Sequence, residues 1–274
     1  MYPRPFEYQQ VSSVQEAIQA LSGNDDAKLI AGGHSLLPVM KLRLASPSLL
    51  VDISKVAELK SVSVNGGATI GAGVTYNDLL GNAQLNASYP VLHECIASVG
   101  DVQVRNRGTI GGAAAHADPA ADVPAALLAL GAEFTAVGPN GERTIAADDF
   151  FVDILTTALE PDEVLTSIKL PAAAPKSAYE KFAHPASGYA IVGVAAVVGD
   201  GGVKVALTGA TYKATRLTGV EQALSGNIDA ASIDAAAEQI GDLEYAGDHF
   251  ASSEYRAHLT KVYVKRALKR AAGV

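Results

Sequence analysis

The sequence predicts an α+β protein of two units, and three observations carry that reading. Helical and extended apolar patterns succeed one another over the first 174 residues, Pro and Ala fill the stretch 171–175, and the residues beyond read as consecutive strands followed only by helices. The first unit, 1–174, divides into a small α/β piece over 1–55 and a larger α+β piece over 56–174. The second, 175–274, is expected to be a three-stranded antiparallel sheet with a helical bundle.

Ser13 and Glu16 have capping-box spacing, and Val14, Ala17, Ile18 and Leu21 recur at helical period until Ser22, Gly23 and Asn24 break it. Residues 27–31 read as a strand running into Gly32 and Gly33, and 49–53 as another, with an apolar, basic segment over 36–44 between them. The runs 59–64 and 68–72 flank Asn65-Gly66, a hairpin turn pair. Thr75 and Asp78 are spaced to cap a helix through Leu80, and 89–99 is helical with Val91, Leu92, Cys95, Ile96 and Val99 on one face. After the glycine-rich stretch 107–112, residues 123–130 read as a helix and 132–137 as a strand, and the turn 138–141 leads on to a strand over 163–170. Past the linker, 179–183, 189–198 and 203–210 read as strands, the last two joined by Asp200, Gly201 and Gly202. Helical patterns then begin near Gly219, Ile228 and Ser252.

Composition narrows the function. With 274 residues, 49% of them hydrophobic and 18% charged, the chain can bury a sizeable core. Its net charge of −8 has the wrong sign for a partner of nucleic acid. The longest uncharged apolar run, 190–199, falls well short of the ~20 residues that span a bilayer, and no leader pattern follows Met1, so no transmembrane segment and a cytoplasmic location are expected. A single cysteine, Cys95, allows neither an internal disulfide nor a cysteine-ligated iron–sulfur cluster. His93-Glu94 opens a zincin-like pattern, but Ala97 stands where its second histidine belongs, so no metal site is expected. The final helical pattern carries Arg256, Lys261, Lys265, Arg266, Lys269 and Arg270 against Glu254 alone; either it presents a solvated face or it docks on an acidic partner.

Two glycine-rich segments remain, Ala31 to Ser35 and Thr109 to Gly112. Neither is a familiar nucleotide loop. Gly71 and Gly73 lack the third glycine of a dinucleotide fingerprint, since Tyr76 occupies its place, and Ser35 is followed by Leu36 and Leu37, which excludes a nucleophile elbow. Both segments mark turns, and both also offer bare backbone whose N–H groups can approach a diphosphate.

The stretches Ala31 to Ala45 (AGGHSLLPVMKLRLA), Gly71 to Leu80 (GAGVTYNDLL) and Val102 to Asp122 (VQVRNRGTIGGAAAHADPAAD) together resemble the FAD-binding medium subunits of the molybdenum hydroxylases, in particular those of the carbon monoxide dehydrogenase type within the xanthine dehydrogenase family. The resemblance covers nearly the whole chain, including the segment around Tyr179, Glu180 and Lys181. It implies a two-part FAD-binding domain and a C-terminal flavoprotein domain. It also implies that Ala31, Gly32, Gly33, His34, Ser35 and Leu36, with Thr109, Gly111 and Gly112, hold the FAD pyrophosphate. By the same resemblance Asp122 hydrogen-bonds the sugar portion, His116 and Asp118 lie on that approach, Lys181 reaches the isoalloxazine edge and Tyr189 stands beside the ring. The run from Asp118 to Asp122 also suits a helix N-terminus. Ala113 departs from the asparagine that family members often carry after TIGG, so one side-chain contact is expected to be missing.

The implied role is electron transfer within a complex, with no catalytic acid, base, nucleophile or metal on this chain. A large subunit holds the molybdenum cofactor and a small one two [2Fe–2S] clusters, assembled as a dimer of heterotrimers, and the acceptor is NAD⁺, a quinone or dioxygen. Two other readings stand beside it. One is a self-sufficient oxidase with flavin attached covalently at His34; the other is an interaction module without flavin.

Overall fold

The structure, a computed structural model, describes residues 2–199, 201–226 and 228–274. It has the α+β class expected. The N-terminal piece is a parallel three-stranded sheet in the order β1-β3-β2, formed by β1 (Glu7–Gln10), β2 (Ala27–Ile30) and β3 (Leu49–Asp52). Helix α1 (Val14–Ser22) covers it with Val14, Ala17, Ile18 and Leu21, the four residues at helical period, all buried. Ser13 caps α1 as expected, whereas Glu16 reaches past Ser13 to the N–H of Ser12 at 2.7 Å. Strand β1 was not legible: all four of its residues are exposed at the sheet edge, so no alternation marks it. Helix α2 (Leu36–Lys41) occupies the apolar, basic segment.

The second piece is a five-stranded antiparallel sheet, β4-β5-β10-β6-β7, built from β4 (Val62–Val64), β5 (Ala68–Gly71), β6 (Glu133–Gly138), β7 (Gly141–Ala146) and β10 (Val164–Leu170). The expected strand over 59–64 is shorter. Residues Ala57–Lys60 form a 3₁₀ turn whose Leu59 is fully buried and whose carbonyl accepts the Gly73 N–H at 2.8 Å. Between β5 and β6 lie α3 (Tyr76–Leu80), α4 (Ala83–Ser88), α5 (Pro90–Ala97), α6 (Val102–Arg107), α7 (Ile110–His116) and α8 (Asp122–Leu130). Thr75 caps α3, as its spacing predicts. All nine residues of α8 are buried, which fits a helix that is apolar all round after its first residue. A short helix α9 (Ala147–Phe150) and the small ladder of β8 (Phe151–Asp153) with β9 (Thr156–Thr157) complete this piece.

The C-terminal sheet is antiparallel, β11-β12-β13-β14, from β11 (Ser177–Ala183), β12 (Ala190–Gly199), β13 (Gly202–Thr208) and β14 (Thr215–Arg216). It has four strands where three were expected, because Thr215 and Arg216 pair with Leu207 and Ala206. Asp200, expected in the turn between β12 and β13, lies outside the described residues. Strand β12 packs against α8 and also against α12 (Ser253–Ala272), so its apolar run is buried on both faces. The short helices α10 (Thr218–Ala223) and α11 (Ala230–Ala236) complete the cover.

The cations of α12 are spent within the chain. Lys261 and Lys265 reach Glu238 at 2.8 and 3.1 Å, Lys269 reaches Asp234 at 2.7 Å, and Arg270 pairs with Glu94 and Glu180. Arg256 is buried on Asp248 and on the carbonyls of Ile191 and Gly209, and Arg266 lies over the Tyr263 ring. The helix is therefore neither a bare solvated face nor a free basic surface. Among the described residues no helix is long and apolar enough to cross a membrane.

Candidate functional site

A cavity of about 630 Å³ opens between the N-terminal piece, α7 and the start of β12, a size within the ordinary ligand-pocket range of ~300–1,000 Å³. Ala31 to Leu36, Thr109, Gly111 and Gly112 line it together with His116, Asp118, Asp122 and the half-exposed Tyr189. Lys181 is not among the residues that line it.

The two glycine segments touch each other. A Cβ on Gly32 would stand 1.9 Å from the carbonyl oxygen of Arg107, so only glycine lets these backbones meet. Gly33 has φ +76°, which L side chains avoid, and this conformation turns the chain into α2. The N–H groups of Gly32, Gly33, His34 and Ser35 donate to no acceptor among the described residues. Ser35 makes no side-chain cap to α2. Four adjacent donors therefore remain for an anion. The exposed His34 ring bonds the Gly32 carbonyl through Nδ1 at 3.0 Å, which places a donor proton on that nitrogen.

The second segment is different from its expected form. It is the first turn of α7, and its donors are in use: Ile110 N–H bonds Val74 O at 3.1 Å, Gly111 N–H bonds Ala72 O at 3.0 Å, and Gly112 N–H bonds Thr109 Oγ1 at 3.0 Å. Gly111 is required by close packing, since its Cβ would stand 2.3 Å from that of Ala72. The exposed Gly112 and the hydroxyl hydrogen of Thr109 are what this wall offers a ligand.

Asp118 caps a turn, accepting the Ala120 N–H at 2.8 Å, and helix α8 begins after Ala121 without a side-chain cap. Asp122, its first residue, is held twice from behind, by the Tyr179 hydroxyl on Oδ1 and by Lys181 Nζ on Oδ2 at 2.8 Å. Lys181 also donates to the Ser98 carbonyl at 3.2 Å. Lys181 is thereby held in a buried ion pair, as a carboxylate this buried demands a cation. Burial raises the Asp122 carboxyl above its ordinary range, against the pull of Lys181. Burial likewise pushes up the Tyr179 hydroxyl and the Cys95 thiol, with the Asp122 charge adding to both, so Cys95 is an inert core residue.

Sequence reasoning missed several lining residues. Tyr76 was visible only as the start of a helix; it lies against Gly108 and presents a buried ring to the cavity, its hydroxyl pushed up by burial. Leu155 is 55% exposed at φ +51° and is anchored through its N–H to the Ala117 carbonyl at 3.3 Å. Nothing in its local sequence distinguishes it. Among the described residues no cluster of His, Cys, Asp and Glu could hold a metal ion.

Family models match almost the whole chain: residues 4–173 match the FAD binding domain in molybdopterin dehydrogenase, and 177–271 the CO dehydrogenase flavoprotein C-terminal domain. The chain is 40% identical to the carbon monoxide dehydrogenase medium chain of Hydrogenophaga pseudoflava, over 99% of this chain and 98% of that one. It is 37% identical to the glyceraldehyde dehydrogenase medium chain of Sulfolobus acidocaldarius, over 99% of this chain and all of the other. A solved structure of the Hydrogenophaga carbon monoxide dehydrogenase superposes with a TM-score of 0.95, covering all of this chain and 99% of its counterpart. One of quinoline 2-oxidoreductase from Pseudomonas putida does so at 0.93 with 34% identity, again over 100% and 99%.

Proposed function

We infer the role of this chain from its kinship, for it belongs to the family of FAD-binding medium subunits of the molybdenum hydroxylases. It is an FAD-carrying subunit of an oxidoreductase. The finer reading is that it works in the cytoplasm between two partners, a small subunit with [2Fe–2S] clusters and a large one with the molybdenum cofactor, in a dimer of heterotrimers. The domain division is taken at 174/175.

The observation that carries this reading is the row of unspent N–H groups from Gly32 to Ser35 on the wall of the cavity. Such a row neutralises a diphosphate without a lysine or a metal. FAD, when bound, supplies the redox chemistry, taking electrons from a cluster and giving them to NAD⁺, a quinone or dioxygen. The chain's residues bind and shield. Ala31 to Leu36 hold the pyrophosphate, Thr109 adds a hydroxyl, Gly111 keeps α7 close and Gly112 leaves room. His116 and Asp118 lie on the approach to the sugar portion that Asp122 meets, Lys181 holds Asp122 and serves the isoalloxazine edge, and Tyr189 stands beside the ring.

The test is the visible absorption of the purified chain after addition and removal of excess FAD, followed by acid precipitation. Yellow colour released into the supernatant is the expected result. Colour kept in the pellet would support covalent attachment at His34, whose exposed ring lines the cavity. An absence of flavin in chain and complex alike would overturn the reading.

A further inference from the structure

The segment from His184 to Tyr189 leaves β11 and enters β12, and it carries Ser187, Gly188 and Tyr189 onto the cavity wall. Two backbone bonds close it, His184 N–H to Tyr189 O at 2.8 Å and Gly188 N–H to His184 O at 2.9 Å. Inside that closure the His184 imidazole takes the place of a backbone acceptor. Its Nδ1 accepts the N–H of Ser187 at 3.1 Å and that of Ala186 at 3.3 Å. Ser187 Oγ lies 3.1 Å from the same nitrogen and accepts the Tyr189 N–H at 3.3 Å. Three N–H groups thus depend, directly or through one hydroxyl, on a single ring nitrogen that must be free of its own proton. The ring's edge is anchored as well: it meets Phe250 at 4.4 Å between centroids and 77° between planes, on the segment leading into α12. Within the same turn Pro185 has no N–H to place, and Gly188, at φ +73°, supplies the reversal.

We propose that His184 is a positioning residue for the FAD site, its Nδ1 holding segment 184–189 so that Tyr189 stands on the wall of the cavity. The ring packing on Phe250 fixes the imidazole, and the imidazole fixes the turn. This inference rests on the assignment of the cavity to FAD, and its test is divided accordingly.

Two variants separate the nitrogen from the ring. H184F keeps an aromatic surface for Phe250 and has no acceptor; H184N offers a short side-chain oxygen in place of Nδ1 and has no ring. In the full chain without FAD, amide hydrogen exchange at Ala186 and Ser187 is expected to accelerate tenfold or more in H184F and to stay within threefold of the parent in H184N. With FAD, the dissociation constant from flavin fluorescence should rise tenfold or more in H184F, with an altered visible circular dichroism of the bound flavin, and H184N should restore both. Parental exchange and binding in H184F would overturn the proposal, as would an H184N variant as impaired as H184F. Should H184F fail to fold, S187A decides through the Tyr189 amide alone, whose exchange must rise if the relay exists and whose constancy overturns it. A parent chain that binds no FAD would defeat the assignment of the cavity, while the exchange measurements would still decide the role of His184.

Discussion

Lys181 Nζ lies 2.8 Å from Asp122 Oδ2, and this contact ties the C-terminal sheet to the first turn of α8 directly behind the cavity. Both side chains are less than a tenth exposed, so the pair is a buried one whose members need each other. Its importance is to the part of the cavity wall that Asp122 forms. Removal of either partner should be felt first as lost stability and only then as altered flavin chemistry.

Lys181→Met should destabilise the chain by about 3 kcal/mol, the lower end for a broken buried pair. The loss should depend on pH in a definite sense. Burial already holds the Asp122 carboxyl above its ordinary range, and without Lys181 it rises further. A carboxyl whose folded pKa exceeds its unfolded one binds its proton more readily in the folded state. The penalty of the charged form is therefore full above the folded value and is relieved as pH falls through it. Chemical denaturation at about pH 8 and about pH 5 should show the larger deficit at the higher pH; an equal deficit at both would mean that Asp122 is not the group left stranded.

Gly32→Ala and Gly33→Ala should differ. The first places a Cβ 1.9 Å from the Arg107 carbonyl and should cost at least ~2 kcal/mol together with FAD affinity, since backbones cannot step aside as side chains do. The second meets only the movable Leu37 and Ile30 side chains and bears mainly the left-handed φ, about 1–2 kcal/mol. Melting curves of the two variants would reveal the order; equal losses would remove the backbone contact as the reason for Gly32.

Within α12, Arg256→Met should lose about 3 kcal/mol, because Asp248 and two carbonyls are left without their donor. Lys261→Ala, whose pair with Glu238 is nearly half exposed on each side and screened by solvent, should lose far less. The same denaturation assay measures both, and a comparable loss would show that exposure does not grade these pairs.

Arg43 sits at φ +62° just beyond α2, where the Leu44 N–H bonds Val39 O at 3.1 Å and the Arg43 N–H bonds Met40 O at 2.9 Å, the pattern of a Schellman cap. Glycine is the residue that this position favours. Arg43→Gly should stabilise the isolated chain by about 1 kcal/mol, read as a raised melting temperature. No gain would show that the guanidinium's reach to the Tyr2 carbonyl at 3.5 Å offsets the backbone strain.

What could be read from the chain alone was whatever is local. Ser13 and Thr75 announce their helices, Asn65-Gly66 its hairpin, and the apolar period over 14–21 the face that α1 buries. Strand β1 escaped because an exposed edge imposes no alternation, and β14 because two residues carry no period at all. The candidate site divides in the same way. The glycine segments were visible as residue types, but whether their N–H groups are free depends on Val74 and Ala72, tens of residues away. The pairing of Lys181 with Asp122 was not legible, because it spans 59 positions and is decided by how β12, which carries β11 beside it, packs on α8.

The meeting of Gly32 with the Arg107 carbonyl also governs how this protein can be re-engineered. Residues 31–35 and 105–109 behave as one joint whose halves are distant in the gene. A loop transplanted from a relative brings only half of that joint, and a library that randomises one half at a time samples mostly collisions. Recombination points belong outside both segments, and any design that alters the cofactor preference has to vary the two together.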